Sequence, residues 1–149
     1  MLHEIKIRLL PGAGRELLPS YQSEGSAGMD LHARLDSPVV LEPHKPVLIP
    51  TGIAVSLPSD GYAAFVYARS GLATRHGIGL CNGVGVVDSD YRGEIKVGLI
   101  NQTDIPYTVS PGDRIAQLVV SPVCRMSITE TDELDPTARG EGGFGSTGR

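Results

Sequence analysis

The sequence predicts an all-β fold, a jelly-roll-like sandwich or barrel with at most one short helix. Three observations support this prediction. The 149 residues include 19 glycines and 11 prolines, and so many turn-forming residues in a short chain indicate many short strands. Several short runs alternate apolar and polar residues or are rich in valine and isoleucine. No segment keeps a helical period over four turns, which leaves strands as the main element.

The predicted strands follow one another along the chain, with turn residues between them. Ile5, Ile7 and Leu9 alternate with Lys6 and Arg8, which predicts a half-buried strand. Further strands are expected at 39–42, at 47–57 with breaks at Pro50 and Gly52, and at 63–68, 84–87, 94–100, 107–109 and 114–120. The last of these runs is compatible with a helix by propensity, but its paired valines and flanking prolines favour a strand. Residues 71–77 are the best candidate for the short helix.

The composition changes near the C-terminus. From Asp135 onward the chain has almost no aliphatic residues, and five of its last eleven residues are glycine. Such a segment cannot form a core, so it is either disordered or ordered by a ligand. The sequence therefore predicts a β-domain over residues 1–134 and a C-terminal arm over residues 135–149.

Charge and cysteine content exclude several classes of protein. A net charge of −4 argues against a nucleic-acid-binding surface, which needs clustered lysine and arginine. No stretch reads as a signal peptide or a membrane span, so a cytoplasmic protein without membrane contact is expected. Cys81 and Cys124 fit no metal or redox spacing, and we expect them to be reduced packing residues. The four scattered histidines suggest no metal site.

Two segments in the first half of the chain carry groups suited to chemistry. SAGMDLHA (26–33) places the Asp30 carboxylate near Gly28, although taken alone this segment favours a turn aspartate at the start of a strand. ARSGLA (68–73) lies at a predicted strand-to-helix junction. Its guanidinium, hydroxyl and free backbone N–H groups could all donate to phosphate. The alternative is that Ser70 is only a helix cap.

Two further segments follow in the second half. CNGVGVVDSDYRGE (81–94) ends an apolar run with two carboxylates, which could serve as a base or bind a metal. The local alternative for Asp88 to Gly93 is a solvated hairpin turn. In SPGDRIAQL (110–118), Pro111 and Gly112 suit a type II turn. Gln117 stands within an apolar run, and a buried amide would need hydrogen-bond partners.

The last segment is RGEGGFGSTG (139–148). Its glycine-rich backbone, with serine and threonine, could wrap phosphates through successive N–H groups. It is not a Walker A loop, because it lacks the Gly-Lys-Ser/Thr sequence. Phe144 on such an arm could stack on a base, or the segment could be an unstructured tail.

Taken together and in this order, the five segments resemble the five motifs of the trimeric dUTPase family. The resemblance runs from residue 26 to the C-terminus, with one departure, because the second motif usually begins with proline and this chain has Ala68. It implies a jelly-roll homotrimer with active sites shared between subunits. Each site would hydrolyse dUTP to dUMP and pyrophosphate with the help of Mg2+. That reaction keeps uracil out of DNA and supplies dUMP for thymidylate synthesis.

The resemblance also implies a role for individual residues. Asp88 would be the general base that activates a water for attack on the α-phosphorus, and Gln117 would bind phosphate or position that water. Asp30 would lie near the sugar and the hydration shell of a Mg2+ ion held mainly by the substrate phosphates. The implied substrate-binding residues are Arg69, Ser70, Gly71, Arg139, Ser146 and Thr147 for the phosphates, Asn82, Val84, Gly85, Val86, Val87, Phe144 and Gly145 for the uracil, and Tyr91 for the sugar.

Three alternatives belong to different classes. A dCTP deaminase would share the fold and part of the motif pattern, but the DSDYRGE segment and the glycine-rich arm favour dUTPase. A non-catalytic nucleotide-binding module could dispense with Asp88 or the arm, and this chain keeps both. A purely structural β-sandwich would leave Gln117 and the C-terminal arm without explanation.

Overall fold

Over residues 4–143 the protein is a mostly β structure with one short α-helix. In the computed structural model, which describes residues 4–143, the helix α1 spans Ser70–His76 and a 3₁₀ turn spans Arg15–Leu17. The strands are β1 Lys6–Leu9, β2 Met29–His32, β3 Val39–Leu41, β4 Pro46–Pro50, β5 Ile53–Ser56, β6 Tyr62–Ala68, β7 Ile78–Leu80, β8 Gly85–Val87, β9 Lys96–Asn101, β10 Tyr107–Val109 and β11 Arg114–Pro122. The predicted fold class is confirmed.

The strands form four antiparallel sheets around one core. The largest has the order β2-β11-β6-β8, a second has the order β4-β9-β7, and β1-β5 and β10-β3 form two pairs. Buried side chains from all four sheets join a single apolar cluster, which includes Leu31, Ile49, Ile53, Leu99 and Val109. Because each sheet turns one face to this cluster, the opposite faces are left to solvent or to partners.

The strand β11 resolves the ambiguity in the sequence between helix and strand. It pairs with β2 on one side and with β6 on the other. Ile115, Ala116 and Leu118 are buried, while Gln117 is half-buried on the opposite face. The strand begins with a β-bulge between Arg114 and Ala116, which explains why its buried positions do not alternate strictly.

The turn before β11 has the predicted conformation. Gly112 has φ of +81°, the left-handed value that the second central position of a type II turn requires. The Asp113 N–H donates to the Ser110 carbonyl at 3.1 Å, and the Ser110 N–H donates to the Asp113 carboxylate at 2.7 Å. Two reciprocal hydrogen bonds therefore hold the entry to the longest strand.

One expectation and one alternative from the sequence are wrong. Cys81 and Cys124 are free thiols, but both are exposed rather than packed in the core. Residues 88–93 do not form a hairpin turn, because β8 pairs with β6 whereas β9 pairs with β4 and β7. The segment instead carries the chain from one sheet to another. The strand β7, which begins two residues after the end of α1, was not predicted.

Regular structure ends at Pro122, and residues 123–143 contain neither helix nor strand. The side chains of Met126, Ile128 and Leu134 are exposed. The proposed boundary between a domain over residues 1–134 and an arm over residues 135–149 stays a prediction. The helix within residues 4–143 lacks the length and the apolar character that crossing a membrane requires.

The buried position of Leu31 leads to a prediction about the free energy of unfolding. Leu31 is fully buried, so Leu31→Ala should lower the free energy of unfolding by about 2–5 kcal/mol through lost contacts and the cavity left behind. Leu134→Ala is the matched control, because Leu134 is 87% exposed. Urea unfolding of both variants measures the difference, and equal losses would contradict the core assignment.

Candidate active site

A cleft between two sheets gathers most of the residues predicted to read a base and a sugar. It has a volume of about 460 Å³ and lies between the edge strand β8 and the start of β9, which is a size suited to a small ligand. The predicted residues that line it are Asn82, Gly85, Val86, Val87, Asp88 and Tyr91. Val84 is exposed next to the cleft but does not line it.

The strand β8 exposes backbone hydrogen-bonding groups to the cleft. It is the last strand of its sheet and pairs only with β6 among the described residues. Its other edge therefore presents N–H and C=O groups that have no strand partner there. A side chain at Gly85 would place its Cβ 3.1 Å from the Val66 Cβ, so the glycine lets β8 approach β6 closely. The Asn82 amide nitrogen lies 3.7 Å from the same position.

The Tyr91 ring is held in place by its own segment. Its hydroxyl donates to the Glu94 carbonyl at 3.0 Å, and its N–H donates to the Asp88 carbonyl at 3.1 Å. The Glu94 carboxylate in turn accepts the Gly52 N–H at 3.0 Å. The ring lies across Gly93, where an added Cβ would stand 2.5 Å from the Tyr91 Cζ. The segment is therefore built around the absence of a side chain at position 93.

Asp88 follows directly after β8 and is exposed. It lines the cleft together with Tyr91, and it also lines a second hollow with Asp90 on the other side. An exposed carboxylate at the rim of a cleft can reach a water molecule, which is the first requirement for a general base.

A second group of polar residues lies at the other end of β6. Asp30 is 1% exposed. Its Oδ1 lies 3.2 Å from the Arg69 Nε, an ion pair without the alignment of a hydrogen bond. Its Oδ2 accepts a hydrogen bond of 3.2 Å from the Arg114 Nη1. Arg69 also donates through Nη1 to the Arg114 carbonyl at 3.0 Å. We call Asp30, Arg69 and Arg114 the guanidinium cluster.

Two neighbours complete the surroundings of this cluster. Gln117 stands opposite Asp30 on β11 and opposite Tyr67 on β6, so its amide belongs to the outer face of the sheet. His32 lies opposite Arg114 in the register of β2 and β11. The Nδ1 atom of His32 is buried and has no hydrogen-bond partner within residues 4–143. Burial lowers the pKa of His32, the nearby Asp30 carboxylate opposes this effect, and the two arginines add to it. His32 is therefore a neutral member of a positively charged region at neutral pH.

The start of α1 adjoins Arg69. The capping position is Arg69 itself, with extended backbone and no side-chain hydrogen bond to the helix. Ser70 is the first helical residue, so the alternative of a simple serine cap is wrong. A Cβ at Gly71 would meet nothing within 4 Å. The first-turn N–H groups that lack a side-chain cap and the open space beside them are suited to an anion.

The arm is described as far as residue 143. The Arg139 Nε donates to the Gly142 carbonyl at 2.6 Å, and Gly140 turns the chain with φ of +52°. The other arm residues with predicted roles lie outside the described residues: Phe144, Gly145, Ser146 and Thr147.

The two groups are far apart in one chain. Val87 pairs with Ala64, so Asp88 lies level with Ala63, six residues before Arg69 along β6. At the rise of an extended strand, this separation is about 20 Å. The chain therefore holds a cleft with the proposed base at one end of β6 and the guanidinium cluster at the other.

The sequence missed two residues at these places. Arg114 belongs to the segment 110–118, in which only the turn and Gln117 were considered. The signal that could have identified Arg114 is its charge at the start of an otherwise apolar strand. Glu94 gave no such signal, because its contact with Gly52 depends on the meeting of two distant segments. Within residues 4–143, no three or more histidine, cysteine or acidic side chains are grouped to hold a metal ion.

The fold and the site define a class, a small jelly-roll protein with a cleft of about 460 Å³ beside an edge strand and a separate cluster of two arginines and a buried aspartate. Residues 16–148 match the family model described as dUTPase. The deoxyuridine 5'-triphosphate nucleotidohydrolase of Desulfitobacterium hafniense is 56% identical over 131 residues, which cover 88% of this chain and 87% of the relative. The chain therefore belongs to the dUTPase family.

Solved structures agree with this assignment. A mutant dUTPase of Staphylococcus bacteriophage 80alpha, solved with dUpNHpp, aligns with a TM-score of 0.82 and 25% identity over 98% of this chain and 99% of its own. A mutant dUTPase of phage phi11 of S. aureus, described as coordinating a structural Mg(II) ion, aligns with a TM-score of 0.77 over 89% of this chain and 99% of its own. Because this structure is only 23% identical in sequence to the chain, it supports the fold alone.

Gly93 offers a test of the Tyr91 arrangement. Gly93→Ala should destabilise the protein by about 1–3 kcal/mol, because the new methyl group overlaps the Tyr91 ring. In a Tyr91→Ala background the same change should cost little, since the ring is gone. Gly71→Ala is the control in open space and should not lower the midpoint of unfolding, because alanine favours a helix more than glycine does. A penalty for Gly93→Ala that survives the removal of Tyr91 would contradict this geometry.

Proposed function

We propose that the protein hydrolyses dUTP to dUMP and pyrophosphate, by attack of a water molecule on the α-phosphorus. The observation that carries this proposal is the cleft in which the free edge of β8, the Asn82 side chain, Asp88 and Tyr91 meet. It combines groups that can read a base, contact a sugar and activate water. Membership of the dUTPase family supports the same conclusion.

Recognition of uracil would use the edge of β8. Uracil offers an N3–H donor and an O4 acceptor, whereas cytosine reverses both. A backbone carbonyl of β8 can accept from N3, and the Asn82 amide can donate to O4. Cytosine would leave these groups unpaired once the bound base has displaced the water around them, which is costly. The base would be contacted, through backbone or side chain, by Val84, Gly85, Val86 and Val87.

Tyr91 would select the sugar. Its hydroxyl is engaged by the Glu94 carbonyl, so the ring has little freedom to move. A fixed ring beneath a deoxyribose leaves no room for a 2′-hydroxyl, which would exclude UTP by overlap.

Asp88 would act as the general base. It takes a proton from the attacking water as the water oxygen bonds to the α-phosphorus and the bond to the bridging oxygen of pyrophosphate breaks. Gln117 would bind phosphate or orient the water. Bound Mg2+ would neutralise part of the phosphate charge and make the phosphorus more electrophilic. The substrate phosphates would be its main ligands.

The phosphates would lie on Arg69, Ser70 and Gly71 at the start of α1. Arg139, Ser146 and Thr147 would close over them from the arm, while Phe144 and Gly145 would cover the uracil. In residues 4–143, Arg139 uses its Nε within the arm, which leaves its two terminal amino groups free for a phosphate.

The separation of the two groups supports a site shared between subunits. A triphosphate bound at the Asp88 cleft cannot also reach Arg69 of the same chain about 20 Å away along β6. We propose a homotrimer in which Asp88 of one chain faces Arg69 of another, with the arm supplied by the third. Each site is then incomplete without its neighbours.

The experiment that tests the function is a substrate panel. The protein is incubated with Mg2+ and dUTP, UTP, dCTP or dTTP, and the release of pyrophosphate is measured. We expect turnover of dUTP alone. Ammonia release from dCTP would instead favour a deaminase, and binding of dUTP without turnover would favour a non-catalytic module.

Asp88→Asn tests the base. We expect kcat for dUTP to fall by about 10²–10⁴-fold, because the amide cannot accept the proton, while the affinity for dUpNHpp is retained. Steady-state kinetics and calorimetric titration measure the two quantities. Asp104→Asn, at an exposed carboxylate that pairs with His44, is the control for loss of one charge. Unchanged turnover in Asp88→Asn would refute the assignment.

Mixed assemblies test the shared site. Asp88→Asn and Arg69→Ala chains, carrying different tags, are co-expressed, and the mixed trimers are isolated. Each parent should be nearly inactive, whereas the isolated mixed trimers should recover about a third of the wild-type sites, since a site needs an intact Asp88 and an intact Arg69 from different chains and each mixed trimer has one such pair. Activity no higher than that of the parents would show that both residues serve a site within one chain.

A further inference from the structure

The Tyr91 hydroxyl binds a main-chain group, so the place of its ring depends on where the backbone of residue 94 lies. The hydroxyl donates to the Glu94 carbonyl at 3.0 Å, and the Tyr91 N–H donates to the Asp88 carbonyl at 3.1 Å. The ring also lies against Gly93. These three contacts lie within residues 88–94, so they fix the shape of the segment but not its position relative to the sheets.

The Glu94 side chain connects this segment to the turn between β4 and β5. Its Oε1 accepts the Gly52 N–H at 3.0 Å, and the side chain is only 17% exposed. A hydrogen bond to an ionised acceptor is roughly twice as strong as one between neutral groups. The Lys96 Nζ lies 3.9 Å from the Glu94 Oε2, which is beyond hydrogen-bond distance. The carboxylate therefore ties residue 94 to a distant part of the chain through Gly52.

The turn between β4 and β5 is a rigid support. Gly52 is buried and has φ of +74°, and a Cβ at this position would stand 2.7 Å from the Arg34 Cδ. The Gly52 carbonyl accepts the Leu10 N–H at 2.8 Å. Because its backbone is held in this way, the Gly52 N–H keeps one direction, and the carboxylate that accepts from it is held in place as well.

The residue after Glu94 is anchored independently. The Thr51 Oγ1 donates to the Ile95 carbonyl at 2.6 Å, and the Ile95 N–H donates to the Ile53 carbonyl at 2.9 Å. Thr51 and Ile95 are both buried. These two bonds do not involve the Glu94 side chain, so a change of that side chain should free residue 94 without detaching β9 from the core.

We propose that Glu94 is a positioning residue for the choice of sugar and that it acts through Tyr91. The Glu94 carboxylate holds the backbone of residue 94 on the turn between β4 and β5, and the Glu94 carbonyl holds the Tyr91 hydroxyl. The ring thereby stays where a ribose 2′-hydroxyl would overlap it. This inference rests on the proposed function, in which Tyr91 selects the sugar, and it adds the residue that keeps the ring in place.

The test compares two ligands that differ only in the 2′-hydroxyl. Dissociation constants for dUMP and UMP are measured by calorimetry with the intact protein, and the constant for UMP divided by that for dUMP is the sugar ratio. We expect Glu94→Ala to lower the sugar ratio about tenfold, because a ring released from its support makes room for the hydroxyl. Glu94→Gln should keep most of the wild-type ratio, since its amide oxygen can still accept from the Gly52 N–H.

The sugar ratio separates positioning from a loss of folded protein. Misfolded chains lower the number of binding sites for both ligands alike and leave the ratio unchanged. Glu94→Asp serves if Glu94→Ala folds poorly, because it keeps the charge but is one methylene shorter and loses the bond to Gly52; it should lower the ratio in the same direction. Glu42→Ala, the same truncation at an exposed position, is the matched control and should keep the wild-type ratio.

A double-mutant cycle tests the route through Tyr91. Tyr91→Phe removes only the hydroxyl that donates to the Glu94 carbonyl, so it should lower the sugar ratio by itself. In that background Glu94→Ala should lower the ratio little further. A full effect of Glu94→Ala in the Tyr91→Phe protein would show that Glu94 acts on the sugar directly, and it would overturn the positioning role.

The remaining contrary outcomes are distinct. An unchanged sugar ratio in Glu94→Ala and Glu94→Asp, or equal losses of affinity for dUMP and UMP, would each overturn the role of Glu94. Release of pyrophosphate from dUTP by the wild-type protein is measured in parallel. Its absence would refute the proposed function, whereas normal turnover with an unchanged ratio in both variants would refute only the role of Glu94.

Discussion

The antiparallel pairing of β6 with β11 is the constraint on which the site depends. It extends over seven residue pairs, from Ala116 opposite Ala68 to Pro122 opposite Tyr62. Because β8 joins β6 at one end and α1 leaves it at the other, this rigid ladder keeps Asp88 away from Arg69. That separation is the observation behind the proposal that a site is shared between chains.

Charge is arranged differently at the two ends of β6. Asp88 is exposed at the rim of its cleft, where a carboxylate can meet water. Asp30 is buried between Arg69 and Arg114, where it can only act on those side chains. The two aspartates therefore differ in what they can do. Contact with solvent permits proton transfer at Asp88, whereas burial requires fixed counter-ions beside Asp30. Without the buried aspartate, the two arginines would repel each other next to α1.

Much of the fold was predictable because its signals are local. Alternation marked β1, runs of valine, leucine and isoleucine marked β9 and β11, and the Pro111–Gly112 pair marked the turn. The exposure of Cys81 and Cys124 was not predictable, since burial depends on which surfaces meet. The connection between β8 and β9 was also misread, because two adjacent strands form a hairpin only if they pair, and here other strands pair with each of them.

The sequence by itself determined the family, the fold class and the residue types of the site, because five motifs in order carry that information without coordinates. Only the tertiary structure decided which of those residues share a place. It put Asn82, Asp88 and Tyr91 in one cleft, and it put Arg114 beside Asp30. The physical reason is that strand register brings residues together across long stretches of chain, and no local pattern records the register.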